Sequence, residues 1–181
     1  QQADALASRL ARTQITAVYS SPIRRAHDTA LAVGVTTGLE VVLEPRVQEY
    51  DFGEALSGLT WAEIRETEPE IVEALVNNDS EFPRYPGEEG RAAFRDRVCV
   101  ALSEIAERHS ADATVAVVTH AGPVAVYVME TLGRRYARPI PFSIDNASVT
   151  TVEIGGSQAA FAPPAVVTSL NDTCHLAALS S

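Results

Sequence analysis

Three places in the 181-residue sequence hold residue types that can handle an anion and move a proton, and each follows a short apolar run. Arg24 and Arg25 follow "ITAVYSSPI", Glu49 follows "EVVLEPRVQ", and His120, Ala121 and Gly122 close "TVAVVTHAG". Two arginines at a helix start oppose the helix dipole, which favours anions at that end. The placement makes sense if an anion binds there and the guanidinium groups share in holding it. A histidine can gain or lose a proton near neutral pH. Gly122 allows close approach to the backbone, and Ala121-Gly122 opens a helix whose first N–H groups are free for an anion. Glu49 supplies a carboxylate suited to general acid–base work.

Each residue alone has a plainer reading. An arginine near a helix start can be a solvated surface group, and a histidine after an apolar strand can be a hydrogen-bonded interior residue. Glu49 is one of 24 Asp and Glu residues. The joint pattern is more informative, because all three follow a strand. In open α/β sheets, ligands bind beyond the carboxyl ends of strands.

The elements that would position these residues are legible as periodic patterns. Apolar strands are expected at 15–20, 40–45 and 114–120, the last so continuously apolar that it reads as covered on both faces. Ala3, Leu6, Ala7 and Leu10 recur at helical spacing. Ser21 suits a helix cap with Pro22 at the first position, and that helix should run to about Gly34 or Gly38. Phe94, Val98, Leu102 and Ile105 mark one face of a long helix. A further helix should run from "AGPV" to about Leu132, and residues 148–154 and 165–170 look like an antiparallel pair. The alternation of strands and helices predicts a three-layer α/β/α sandwich with a mostly parallel sheet. A single domain should span residues 1–181.

Residues 51–90 break that rhythm with short helices and loops, and read as a cap-like insertion over the site. Thr60 and Glu63 have capping-box spacing, Pro69 should restart a second helix, and Trp61 suits the anchor of a small core.

Composition excludes some classes of function. The net charge of -10 argues against nucleic acid as a partner, although a local positive cluster still suits a small phosphorylated ligand. Cys99 and Cys174 form no disulfide framework and read as free thiols of a cytoplasmic protein. No apolar run reaches the roughly 18 residues of a membrane span. No His-x-x-x-His pair or cysteine cluster suggests a metal, so no metal or other cofactor is expected.

Taken together, these segments resemble the histidine phosphatase superfamily, also called phosphoglycerate-mutase-like. "YSSPIRRAHDTA" is similar to the family's strand-turn-helix segment, which puts the phosphate-binding arginine on Arg25 and leaves Arg24 at a variable position. "RVQEYDFGE" resembles the segment of the acid/base glutamate, here Glu49, and "VVTHAG" that of the second active-site histidine, here His120. "PGEEGRAAFRDRV", "DNASVT" and "LNDTCHL" have counterparts as well, so the likeness covers nearly the whole chain.

The resemblance implies a metal-independent phosphomonoesterase acting on a small metabolite through a phosphohistidine. Arg25, His120, Ala121 and Gly122 would bind the substrate, and Glu49, His120 and Arg25 would act in catalysis. A homodimer is compatible with such a family. The family's Arg-His-Gly motif does not occur in this sequence. Its strand and nucleophilic histidine are therefore expected upstream of Gln1, with the strand lying between those at 15–20 and 114–119. Two alternatives stay open: a cofactor-dependent mutase, or an inactive module that binds a phosphorylated ligand or a protein. The sequence contains no lysine, and residues 51–90 hold only Arg65 and Arg84 as basic residues, which favours hydrolysis over mutase chemistry.

Overall fold

The computed structural model describes residues 1–54, 56, 58–76, 87–136, 140–155 and 165–179. Along the chain these form α1 (Gln2–Leu10), β1 (Ala17–Ser20), α2 (Arg24–Thr37), β2 (Val41–Leu43) and a 3-10 turn (Pro45–Val47). Then come α3 (Trp61–Thr67), α4 (Pro69–Val76), α5 (Arg91–Glu107), β3 (Val115–Val118) and α6 (Ala121–Thr131). The chain closes with β4 (Val149–Ile154), β5 (Ala165–Asp172) and a 3-10 segment (Cys174–Leu179).

β2, β1 and β3 form a parallel sheet in that order, with Val18 opposite Val41 on one side and Ala116 on the other. β4 and β5 form a separate antiparallel pair. Side chains alternate across a strand, so β1 serves two layers. Val18 packs among Leu6 and Ala7 of α1 and Ala30 and Val33 of α2. Tyr19 faces the other way, its hydroxyl 3.1 Å from His109 Nε2 just beyond α5. On that side Phe94 and Val98 of α5 pack with Val126 of α6.

Other expectations are met within a residue or two. α2 ends at Gly38, whose φ of 73° is the left-handed cap that glycine adopts without strain. The capping box is formed: Thr60 Oγ1 accepts the Glu63 N–H at 3.3 Å, and Glu63 Oε2 accepts the Thr60 N–H at 2.7 Å. Leu56, Ile64 and Ile71 make a small core of their own with Phe52 and Val72. Arg84 and the side chain of Trp61 lie outside the described residues.

Three expectations need correction. A strand between β1 and β3 is ruled out, because the two pair directly from Ala17↔Val115 to Ser20↔Val118. β3 is not fully covered: all four of its residues are only partly buried, and among the described residues β1 is its one strand neighbour. The cap of α2 is Ile23 rather than Ser21, so the helix begins at Arg24. Ser21 Oγ accepts the Ile23 N–H at 3.2 Å within the turn, and its other contact reaches across the sheet, as described next.

Candidate active site

The N-terminus of α6 brings together two of the polar residues singled out above, His120 and Glu49. β3 delivers the chain there, and His120 is the extended residue that caps the helix. The His120 ring is buried, with Nε2 2.8 Å from Ser21 Oγ at the end of β1. Since Ser21 Oγ already accepts the Ile23 N–H, its proton is available to a neutral Nε2. Its second lone pair can instead receive an Nε2–H when the ring is charged.

Burial, then the charges of Arg25 and Arg97, pushes the His120 pKa down to about 4. The ring is therefore neutral at pH 7, under the influence of two cations. Arg25 itself is exposed in the first turn of α2. Arg24 is a solvated neighbour, in an i,i+4 ion pair with Asp28 at 3.4 Å.

Glu49 reaches the same helix end from the loop after β2. Its Oε2 accepts the Gly122 N–H at 3.2 Å, and its Oε1 accepts the Tyr50 N–H at 2.9 Å. The approach depends on glycine, because a Cβ at position 122 would overlap Glu49 Oε1. A carboxylate at a helix N-terminus occupies the place where the dipole and free N–H groups favour an anion. Ala121 is the first residue of α6.

The supporting residues were less visible in the sequence. Thr119 Oγ1 donates to Val47 O at 2.5 Å and ties the Glu49 loop to the end of β3. Arg97 of α5 binds the main chain of that loop, donating to Arg46 O, Gln48 O and Glu49 O. Ser21 had read as a helix cap, since serine before proline carries that local signal. Nothing local announces a partner 99 residues away.

The other histidines lie outside this cluster. His109 meets Tyr19, and His175 lies 3.1 Å from Arg9 Nη1 and 2.9 Å from Ala147 O. His27 is half-buried on α2, two residues beyond Arg25. Among the described residues, no three His, Cys, Asp or Glu side chains come together where they could hold a metal ion. No helix among them is long and apolar enough to cross a membrane.

Comparison with known proteins gives a consistent result. The family model for the histidine phosphatase superfamily (branch 1) matches residues 1–163. Phosphoserine phosphatase 1 of Hydrogenobacter thermophilus is 33% identical over 176 residues, covering 97% of this chain and 79% of that protein. A metal-independent phosphoserine phosphatase of Arabidopsis thaliana is 32% identical over 182 residues, covering 99% of this chain and 71% of that protein. Among solved structures, the mycobacterial glucosyl-3-phosphoglycerate phosphatase superposes with a TM-score of 0.75 at 28% identity, covering 94% of this chain and 84% of the other.

Proposed function

Because the chain belongs to the histidine phosphatase superfamily, we propose that it hydrolyses a phosphomonoester of a small metabolite through a phosphohistidine intermediate. The observation that carries this reading is the meeting of the Glu49 carboxylate and the neutral His120 ring at the N-terminus of α6, within the field of Arg25.

The nucleophile is a histidine of an Arg-His-Gly segment, which does not occur in these 181 residues and which we place upstream of Gln1. Its imidazole attacks phosphorus, a P–N bond forms, and the bond to the leaving oxygen breaks. Glu49 gives that oxygen its proton. The resulting carboxylate takes a proton from water, which attacks the phosphohistidine and releases phosphate. Arg25 and His120 stabilise the charge on the phosphoryl oxygens, and the arriving dianion favours the imidazolium form of His120. Side-chain cations neutralise the phosphate, so no metal is required.

The relatives named as phosphoserine phosphatases make phosphoserine the first substrate to try. Residues 51–90 are described only in part; those that are, α3 and α4 among them, would lie over the site and shape what enters it. Their few basic residues disfavour a second phosphate, and so a mutase.

The test is hydrolysis of phosphoserine and p-nitrophenyl phosphate by the full-length protein in excess EDTA, alongside N-terminal sequencing of the native protein. The reading expects turnover unchanged by EDTA and an Arg-His-Gly segment before Gln1. Absence of both the segment and turnover would favour the inactive binding module. Dependence on a bisphosphate primer would favour the mutase.

A further inference from the structure

Behind Glu49 lies a second group of residues that no step above employs. After the 3-10 turn at Pro45–Val47, the chain through Asp51 is neither helix nor strand. Its backbone polar groups therefore need other partners, and Arg97 supplies them. Nη1 donates to Arg46 O at 2.7 Å and Gln48 O at 2.9 Å, and Nη2 donates to Glu49 O at 3.0 Å. Nε and Nη2 also donate to the two oxygens of Glu89, each at 2.6 Å.

A guanidinium has five N–H donors in one plane, and here all five are used. Glu89 extends the clamp. Its Oε1 accepts the Asp51 N–H at 2.9 Å, and its own N–H donates to Asp51 O at 3.2 Å. The Arg97 and Glu89 side chains are only 22% and 17% exposed. Phe94, three residues before Arg97 on α5, lies under the guanidinium at 4.8 Å from its ring centroid, and also borders Gly122. None of these donors touches the Glu49 carboxylate, whose oxygens meet the Tyr50 and Gly122 N–H groups instead.

We propose that Arg97, oriented by Glu89, is a positioning residue that fixes the main chain at Glu49 and so holds its carboxylate at the N-terminus of α6. The inference rests on the acid–base reading of Glu49 given above. It differs from a general stabilising role in one respect: loss of Arg97 should be felt most where Glu49 must give a proton, whereas loss of its charge near His120 would bear on all substrates alike.

Leaving groups separate the two cases. kcat/KM reports the reaction up to departure of the alcohol. The serine alkoxide needs a proton to leave, whereas p-nitrophenolate does not. In the full-length protein, Glu49→Gln should lower kcat/KM for phosphoserine about 10²-fold or more, and for p-nitrophenyl phosphate only several-fold. Arg97→Gln should repeat that pattern, with a loss of about 10- to 100-fold against about 3-fold or less. Arg97→Lys keeps the charge but has three donors on a flexible stem, so it should rescue little.

Added to Glu49→Gln, Arg97→Gln should lower the phosphoserine rate by no more than about 2-fold, because both act through one group. If Arg97→Gln does not fold, Glu89→Gln should show the same leaving-group selectivity. Equal losses on the two substrates for the Arg97 and Glu89 variants, or full additivity with Glu49→Gln, would overturn the positioning role. Equal losses for Glu49→Gln itself would contradict the acid–base reading, and the positioning role would fall with it.

Discussion

Gly122 leaves room for the Glu49 carboxylate where any other residue would place its Cβ. Gly122→Ala should therefore push Glu49 off the helix end and lower kcat/KM for an alkyl phosphate by about 10² or more, the scale of a lost general acid. A variant with unchanged rates would contradict that placement. His120 offers a test by pH. Its folded pKa of about 4 lies below the ordinary value near 6.5. Between those values the unfolded chain binds more protons, so stability should rise with pH across the window and fall as pH is lowered through it. Thermal midpoints from pH 4 to 6.5 measure the slope, which His120→Asn should flatten. Added inorganic phosphate should move the His120 ring resonances, followed by NMR, toward a higher pKa. At this scale residue type and spacing were enough to single out Arg25, Glu49 and His120, to which the catalytic roles are proposed to fall. It was opaque at Ser21, Arg97 and Glu89, because a serine before proline and charges around a helix start look local and solvated.

At the scale of elements, the tight join between α2 and β2 gives a test of packing. A Cβ on Gly34 would sit 2.8 Å from Leu39 O and 2.9 Å from Val41 Cγ2. Gly34→Ala should cost up to about 2 kcal/mol net in urea unfolding, an overpacking of about 1–3 kcal/mol offset by the roughly 1 kcal/mol that alanine adds in helix propensity. Most elements were legible because apolar period and turn chemistry agreed: the stripe from Phe94 to Ile105, the Thr60–Glu63 capping box, and the restart at Pro69. β3 was the exception. An unbroken apolar run identifies a strand but says nothing about which neighbours it has. Its residues are only partly buried, and its direct partner is β1.

For the whole molecule, two features act beyond any single element. Arg9 of α1 donates to Asp172 Oδ2 at 2.6 Å and meets His175, which fastens the C-terminal segment to the first helix. Arg9→Ala should raise amide hydrogen exchange over Cys174–Leu179 while leaving α5 protected. The second feature is the far edge of β3, which has no strand beside it among the described residues. Thr114 O and Val118 O bond toward β1, so the alternate residues Val115 and Val117 direct their N–H and C=O groups the other way. That edge ends at Thr119 and His120, and a strand carrying the nucleophile would arrive beside the site by pairing there. In the full-length protein the amides of Val115 and Val117 should then exchange as slowly as those of β1. Strand order was not legible in the sequence, because pairing is decided by long-range packing rather than by local pattern. The most direct test of the central claim is kcat/KM for a phosphomonoester, measured in EDTA, for the full-length protein and for Arg25→Ala and His120→Ala. Losses of about 10² to 10³ or more are expected, the scale for removing a preorganised charge-stabilising donor. Rates equal to wild type in both variants would contradict the assignment of this site.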